Sequence, residues 1–198
     1  MARNCAATLC WAQPARGPRG DGSIEVAAGI GGVLSVKVTL RVPVKGDFTV
    51  LSGLRNDAAV QRQLMIEPRK YSPAQVRAWI RRRTTDSSGV FLVVDSGGPC
   101  GFVQLTRVDR GRVTADLGIC LARGARGKGI AAKAMGLLEM HAKKKLRCKK
   151  LTLRVLRVNH RAIALYRKLK FKILEIKRRH HFDGAHWRDV VFMEKALR

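Results

Sequence analysis

The segment that most constrains this chain is Arg126-Gly127-Lys128-Gly129-Ile130-Ala131, because of what lies on either side of it. Before it, residues 113–121 (VTADLGICL) read as a strand; after it, residues 128–145 read as a long helix. A strand feeding a helix through a glycine turn is the start of a βαβ unit, and the apolar run at 151–158 supplies the second strand. Glycines at such a turn let the backbone bend tightly and bring successive N–H groups close to one ligand. The helix adds its unpaired first-turn N–H groups and the positive end of its dipole, and Arg126 and Lys128 add full charges. Together these fit a pyrophosphate, although a glycine turn also serves as an ordinary helix cap. Two other phosphate-binding patterns are excluded. The loop lacks the Gly-Lys-Ser/Thr ending of a Walker loop and the G-x-G-x-x-G fingerprint with a following acid.

The rest of the chain alternates around this unit. Residues 36–42 (VKVTLRV) read as a half-buried strand, and 47–65 as one or two helices with Asp47 as a candidate N-cap. Ser72-Pro73 opens a helix that runs through Trp79 to Arg83, with Ser at the cap and Pro at the first helical position. Residues 89–94 and 101–107 read as strands joined at Ser96-Gly97-Gly98, 161–169 as a helix, and 171–177 with 188–195 as a hairpin around Asp183-Gly184. That order of elements predicts a mixed α/β fold. Residues 1–35, rich in Gly, Ala and Arg with a PARGPRG tract, read as a disordered N-terminal extension, and 36–198 as the folded domain. The basic N-terminus fits a secretory signal poorly, which leaves a transit peptide as the alternative to an extension the domain does not use.

Charge narrows the partners. In 198 residues, 40 Lys and Arg against 14 Asp and Glu leave a formal +26, which favours anionic ligands and opposes cationic ones. The five cysteines form no CxxC pair, and Cys120, in an apolar run, reads as a small buried hydrophobe; a reduced, cytoplasmic chain follows. No uncharged apolar stretch is long enough to span a bilayer, so no membrane partner is expected. His180, His181, Asp183 and His186 cluster on a turn without the spacing that fixes a coordination geometry, and no metal is expected.

The loop Arg126 to Ala131 matches the R/Q-x-x-G-x-G/A signature of the GNAT superfamily of N-acetyltransferases. A second segment, from Val155 through Asn159, Ala162, Leu165, Tyr166 and Lys168 to Phe171, resembles the family's V-x-x-x-N-x-x-A-x-x-L-Y-x-K-x-G-F element. Lys170 stands where Gly normally ends that helix in the left-handed conformation, which implies strain or an altered cap. The resemblance covers roughly residues 36–198. It implies a central mixed sheet of about six to seven strands flanked by about four helices, and acetyl-CoA as the acetyl donor. It further implies that the backbone of Arg126, Gly127, Lys128, Gly129, Ile130 and Ala131 holds the coenzyme pyrophosphate, with Ile119, Cys120 and Leu121 facing the pantetheine amides. Asn159, with Ala162 beside it, resembles the residue that hydrogen-bonds the pantetheine arm, and it also reads as the N-cap of its helix. Tyr166 takes the place of the general acid that protonates the leaving thiolate; the alternative is an aromatic core residue. Asp116 interrupts an apolar strand where an unpaired carboxylate is expensive to bury, at a position where many relatives carry a Glu acting as base through water. The alternative is an Asp at the sheet rim paired with an arginine. No cysteine sits where an acyl carrier belongs, so direct attack within a ternary complex is expected.

The acceptor is read from the N-terminal half. Leu54-Arg55-Asn56-Asp57 and the Ser72 to Trp79 tract resemble a subgroup with W-R-N-D and S-x-E-E-H-x-x-W tracts that acetylates nucleotide-linked amino sugars, which implies Arg55 and Asn56 as acceptor-binding residues. Leu54 replaces the Trp, and Gln75 and Val76 replace the Glu-His pair. The run from Asp183-Gly184 to Asp189-Val190 resembles a D-G-x-x-x-D-V hairpin with one extra residue, a feature shared with polyamine and ribosomal-protein acetyltransferases. A polyamine is repelled by so basic a chain, whereas a nucleotide sugar is attracted, as is a ribosomal surface carrying protein N-termini. The amino sugar therefore ranks first and a protein N-terminus second. A non-catalytic RNA-binding protein on the same scaffold is the alternative of another class, through Lys143 to Lys145, Arg147, Lys149, Lys150 and Lys177 to Arg179. Against it, lysines at a helix end are favoured by the dipole alone, and no aromatic residues interleave them. A homodimer is carried as a further expectation.

Overall fold

A computed structural model of the chain describes residues 36–109, 111 and 113–197, so the extension read into 1–35 lies outside the described residues. Seven strands form one sheet: β1 (Thr39–Arg41), β2 (Val90–Asp95), β3 (Pro99–Asp109), β4 (Thr114–Leu121), β5 (Lys150–Leu156), β6 (Lys172–Phe182) and β7 (Trp187–Ala196), in the order β1-β2-β3-β4-β5-β7-β6. The helices are α1 (Phe48–Asn56), α2 (Ala58–Gln63), α3 (Pro73–Thr85), α4 (Ile130–Leu146) and α5 (His160–Lys168). Every pairing is antiparallel except β4 with β5, the pair that α4 connects. The element order and the mixed α/β class agree with the sequence reading. There is one helix more than about four because Asp57 breaks the first segment. Its carboxylate accepts from Ala59 N at 2.8 Å and Val60 N at 3.1 Å and starts α2 afresh.

The two faces of the sheet carry different helices. In β2, Phe91, Leu92, Val93 and Val94 are all buried, because alternate side chains meet opposite layers. Leu92 and Val94 join a core that includes Ala134, Met135 and Leu138 of α4. Phe91 and Val93 join a second core with Leu51 and Leu54 of α1 and Val76 and Trp79 of α3. There Trp79 meets Phe91 edge-on at 5.3 Å and Phe102 at 5.8 Å, which fixes α3 against β2 and β3.

Two local readings are corrected. Asp47 stands at the N-cap position of α1, but its side chain makes no cap bond. It is buried and accepts from Arg41 at 2.7 and 2.8 Å and from Val44 N at 2.7 Å, so a buried ion pair has claimed it. The Arg41 guanidinium holds the Asp47 carboxyl below the usual carboxylate range. Strand β1 is shorter than residues 36–42, since only Thr39, Leu40 and Arg41 find partners on β2. Lys170 ends α5 at φ +69, the left-handed conformation in which glycine is usual.

Candidate active site

The site begins where a ladder stops. β4 and β5 pair only at Thr114↔Lys150, Ala115↔Leu151 and Asp116↔Thr152. Beyond that point β4 stays with β3 as far as Leu121, and β5 stays with β7 as far as Leu156. The facing edges of 117–121 and 153–156 therefore have no strand partner between them, and backbone polar groups left so are ready to bind a ligand. A cleft of about 740 Å³ opens there, lined on one side by Ile119, Cys120 and Leu121 and on the other by Leu153, Arg154 and Val155.

At one end of the cleft lies the glycine turn. Gly127 and Gly129 have φ of +82 and +75, values an L side chain rarely adopts, and Gly129 holds the N-cap position of α4. The helical ladder starts with Lys133 N donating to Gly129 O, which leaves the N–H groups of Ile130, Ala131 and Ala132 unpaired at the positive end of a 17-residue helix. A Cβ at Gly127 would stand 3.0 Å from the Arg161 guanidinium, so the arginine already borders that turn. Arg126 lines the cleft while its Nε donates to Leu121 O at 2.9 Å, tying the turn to the end of β4. Gly127, Gly129 and Ala131 also line it; Lys128 is exposed and Ile130 is in the core, and neither does.

The middle of the cleft holds the candidate chemistry. Asn159 caps α5, its Oδ1 accepting from Ala162 N at 3.2 Å, and both residues line the cleft. Tyr166 has its ring buried 6.0 Å from that of Phe171 and faces the same space. Burial pushes its hydroxyl up to about 12, with Cys120 adding to the effect, so it keeps its proton at neutral pH. Burial likewise raises the Cys120 thiol to about 12, in keeping with the small buried hydrophobe read from the sequence. Asp116 sits where the β4–β5 ladder ends. It accepts from the Thr152 hydroxyl and pairs with Arg107 at 3.2 Å. Arg107 itself has φ +49 at the irregularity between β3 and β4, which turns its side chain toward that carboxylate. Asp116 thus has the arginine partner of the alternative reading while still lining the cleft.

At the other end, Arg55 lines the cleft and Asn56 does not. The Asn56 amide is committed to Tyr71, accepting from Tyr71 N at 2.7 Å and donating to Tyr71 O at 3.2 Å. Arg83, Arg154 and Arg161, to which the sequence assigns no site role, also line the cleft, as does Lys168 of the segment that resembles the family element. Among the lining residues Asp116 is the single carboxylate against six Arg and Lys side chains. The hairpin histidines stand apart from the cleft. Asp183 there accepts from His186 N at 2.8 Å and Arg188 Nε at 2.6 Å, so the turn itself occupies it.

The parted strands, the glycine turn at a helix N-terminus and Tyr166 all line one cleft. The sequence model of the Acetyltransferase (GNAT) domain matches residues 37–172, and the chain belongs to that family. It is an acetyl-CoA-dependent N-acetyltransferase. Spermidine N(1)-acetyltransferase of Escherichia coli (strain K12) is 27% identical over 156 residues, covering 79% of this chain and 84% of that protein. The structure of a Vibrio cholerae spermidine N-acetyltransferase in complex with CoA and spermine superposes with a TM-score of 0.76 at 22% identity, over 81% of this chain and 95% of the other. A probable acetyltransferase superposes at 0.70 with 21% identity, over 80% and 92%. Where these relatives' names state an acceptor it is spermidine, not an amino sugar. No helix among the described residues is long and apolar enough to cross a membrane.

Proposed function

We propose that the chain transfers acetyl from acetyl-CoA to the primary amine of a small, anion-bearing acceptor, with a nucleotide-linked amino sugar the favoured member of that class. The observation that carries this is the lining of the cleft: six cationic side chains and one carboxylate, already paired with Arg107. A polycation entering such a space meets like charge at low effective dielectric, whereas a phosphate meets counter-charge. The second reading, a polyamine, is favoured by the acceptor named for the relatives.

The mechanism follows from the residues. The coenzyme pyrophosphate lies on the turn from Arg126 to Ala131, under the N–H groups of α4 and beside Arg161. The pantetheine arm enters the split between β4 and β5, where Ile119, Cys120 and Leu121 offer backbone groups, and Asn159 and Ala162 border it from α5. The neutral amine attacks the thioester carbonyl and the carbon–sulfur bond then breaks. Tyr166 gives its proton to the leaving sulfur, and the proton lost by the amine passes through water to Asp116. Residues 36–198 constitute the catalytic domain and the reaction takes place in the cytoplasm. Three free cysteines among the described residues, two of them buried, agree with a reducing compartment.

Tyr166→Phe tests the assignment. Turnover should fall by roughly 10²-fold or more while coenzyme affinity stays within about twofold. Because the hydroxyl is held at about 12, the wild-type rate should not decline through loss of this proton until well above neutral pH. An equal loss of binding and turnover removes the acid role.

A further inference from the structure

We propose that Arg55 and Arg83 form an anion subsite that grips a phosphate carried by the acceptor; this rests on the reading of the cleft given above and names its specificity residues. Arg55 comes from the end of α1 and Arg83 from the last turn of α3, helices that pack in a different core from α4, and both line the cleft. Two guanidinium groups on one partly buried wall repel each other, and each loses hydration. Burial draws Arg55 down, and draws Arg83 down to about 10; each feels other arginine charges, while Asp86 partly offsets those acting on Arg83. Arg55 Nε is buried and has no hydrogen-bond partner. A donor in that state lacks an acceptor, and no carboxylate other than Asp116 lines the cleft to supply one.

The surrounding residues hold Arg55 still instead of neutralising it. Its guanidinium carbon lies 4.1 Å from the centre of the Tyr71 ring and 5.2 Å from that of Trp79. Tyr71 is fixed in turn by both amide atoms of Asn56. The Arg55 carbonyl accepts from Gln61 Nε2 at 2.6 Å, and Gln61, fully buried, also joins both backbone groups of Arg69. Asn56 and Gln61 are therefore positioning residues. Beyond its contact with Tyr71, a planar guanidinium can offer two parallel N–H groups to two oxygens of one phosphate, a geometry an ammonium group cannot match. The amine of the same molecule then points along the cleft toward Tyr166.

The test compares three amines on the full chain with saturating acetyl-CoA, followed by thiol release: a phosphorylated primary amine, the same amine without its phosphate, and spermidine. The phosphorylated amine should have the highest kcat/KM. Arg55→Gln and Arg83→Gln should each raise its KM by about ten- to a hundredfold, and Arg83→Lys should fall between, with coenzyme affinity unchanged in all three. As a check that needs no variant, inorganic pyrophosphate added to protein saturated with coenzyme A should bind and compete with the amine. Turnover that is equal or better on spermidine or the unphosphorylated amine overturns the subsite and leaves the acetyltransferase intact. Unaltered KM values in folded Arg variants, or no pyrophosphate binding beside bound coenzyme, also overturn it. Failure to bind coenzyme at all sinks the underlying reading instead.

Discussion

The two ends of the cleft are built by different means. The end proposed for the donor is made of backbone: two left-handed glycines, three unpaired N–H groups and two strands that part after Asp116 and Thr152. The end proposed for the acceptor is made of side chains from α1 and α3 and the loops beside them, held by Asn56 and Gln61. A backbone site needs a short run with fixed spacing, because the conformation itself is the ligand-binding device. A side-chain site needs only that tertiary packing bring distant residues together, and it can change its charge without changing its frame. The donor end should therefore be common to the family, and the acceptor end should set what this chain acetylates.

The comparison breaks most sharply at Gly129. Its backbone is at φ +75 and it faces the cleft, so Gly129→Glu adds both strain and a carboxylate at the proposed pyrophosphate site. Coenzyme affinity measured by calorimetry should fall by at least about a hundredfold, equivalent to roughly 2.7 kcal/mol. Gln61→Leu tests the other end. Its three hydrogen bonds to the backbone of Arg55 and Arg69 are lost, and the buried Gln61 position is left without the contacts that tie the two segments together. Stability in a denaturant titration should fall by about 2–4 kcal/mol, and acceptor KM should rise while coenzyme affinity in the folded fraction holds. If both substrates weaken together, the two ends are not independent. The smallest effect belongs to Lys170→Gly, which relieves a left-handed lysine at φ +69. It should raise stability by about 0.5–1 kcal/mol without altering turnover.

What could be read from the sequence follows the same division. The turn from Arg126 to Ala131, the strand before it and the helix after it lie within one continuous stretch, and the structure places them as the spacing required. Asn159 and Tyr166 stand out through the resemblance of their segment to a family element, and both line the cleft, Asn159 as the cap of α5 and Tyr166 from within it. The capping box at Ser72 and Gln75 was half visible, in the serine and the proline that follows it. Asp47 takes the N-cap position expected of it, but its side chain goes to Arg41 of β1, a partner that nothing in the helix signal reveals. Arg83 gave no signal, since an arginine in an Arg-rich helix end looks like a solvated charge until Trp79 and Phe91 fix which face of α3 turns inward. The parting of β4 from β5 was equally silent, because both strands keep good partners on their outer sides and neither sequence shows a break.

The most direct test of the central claim is calorimetric titration of the full chain with acetyl-CoA, paired with thiol release against a panel of primary amines. The cleft as described predicts saturable binding of one coenzyme per chain and turnover on at least one amine class. A folded protein that binds no acetyl-CoA would contradict it and would leave the basic surface, not the glycine turn, as the place where this chain acts.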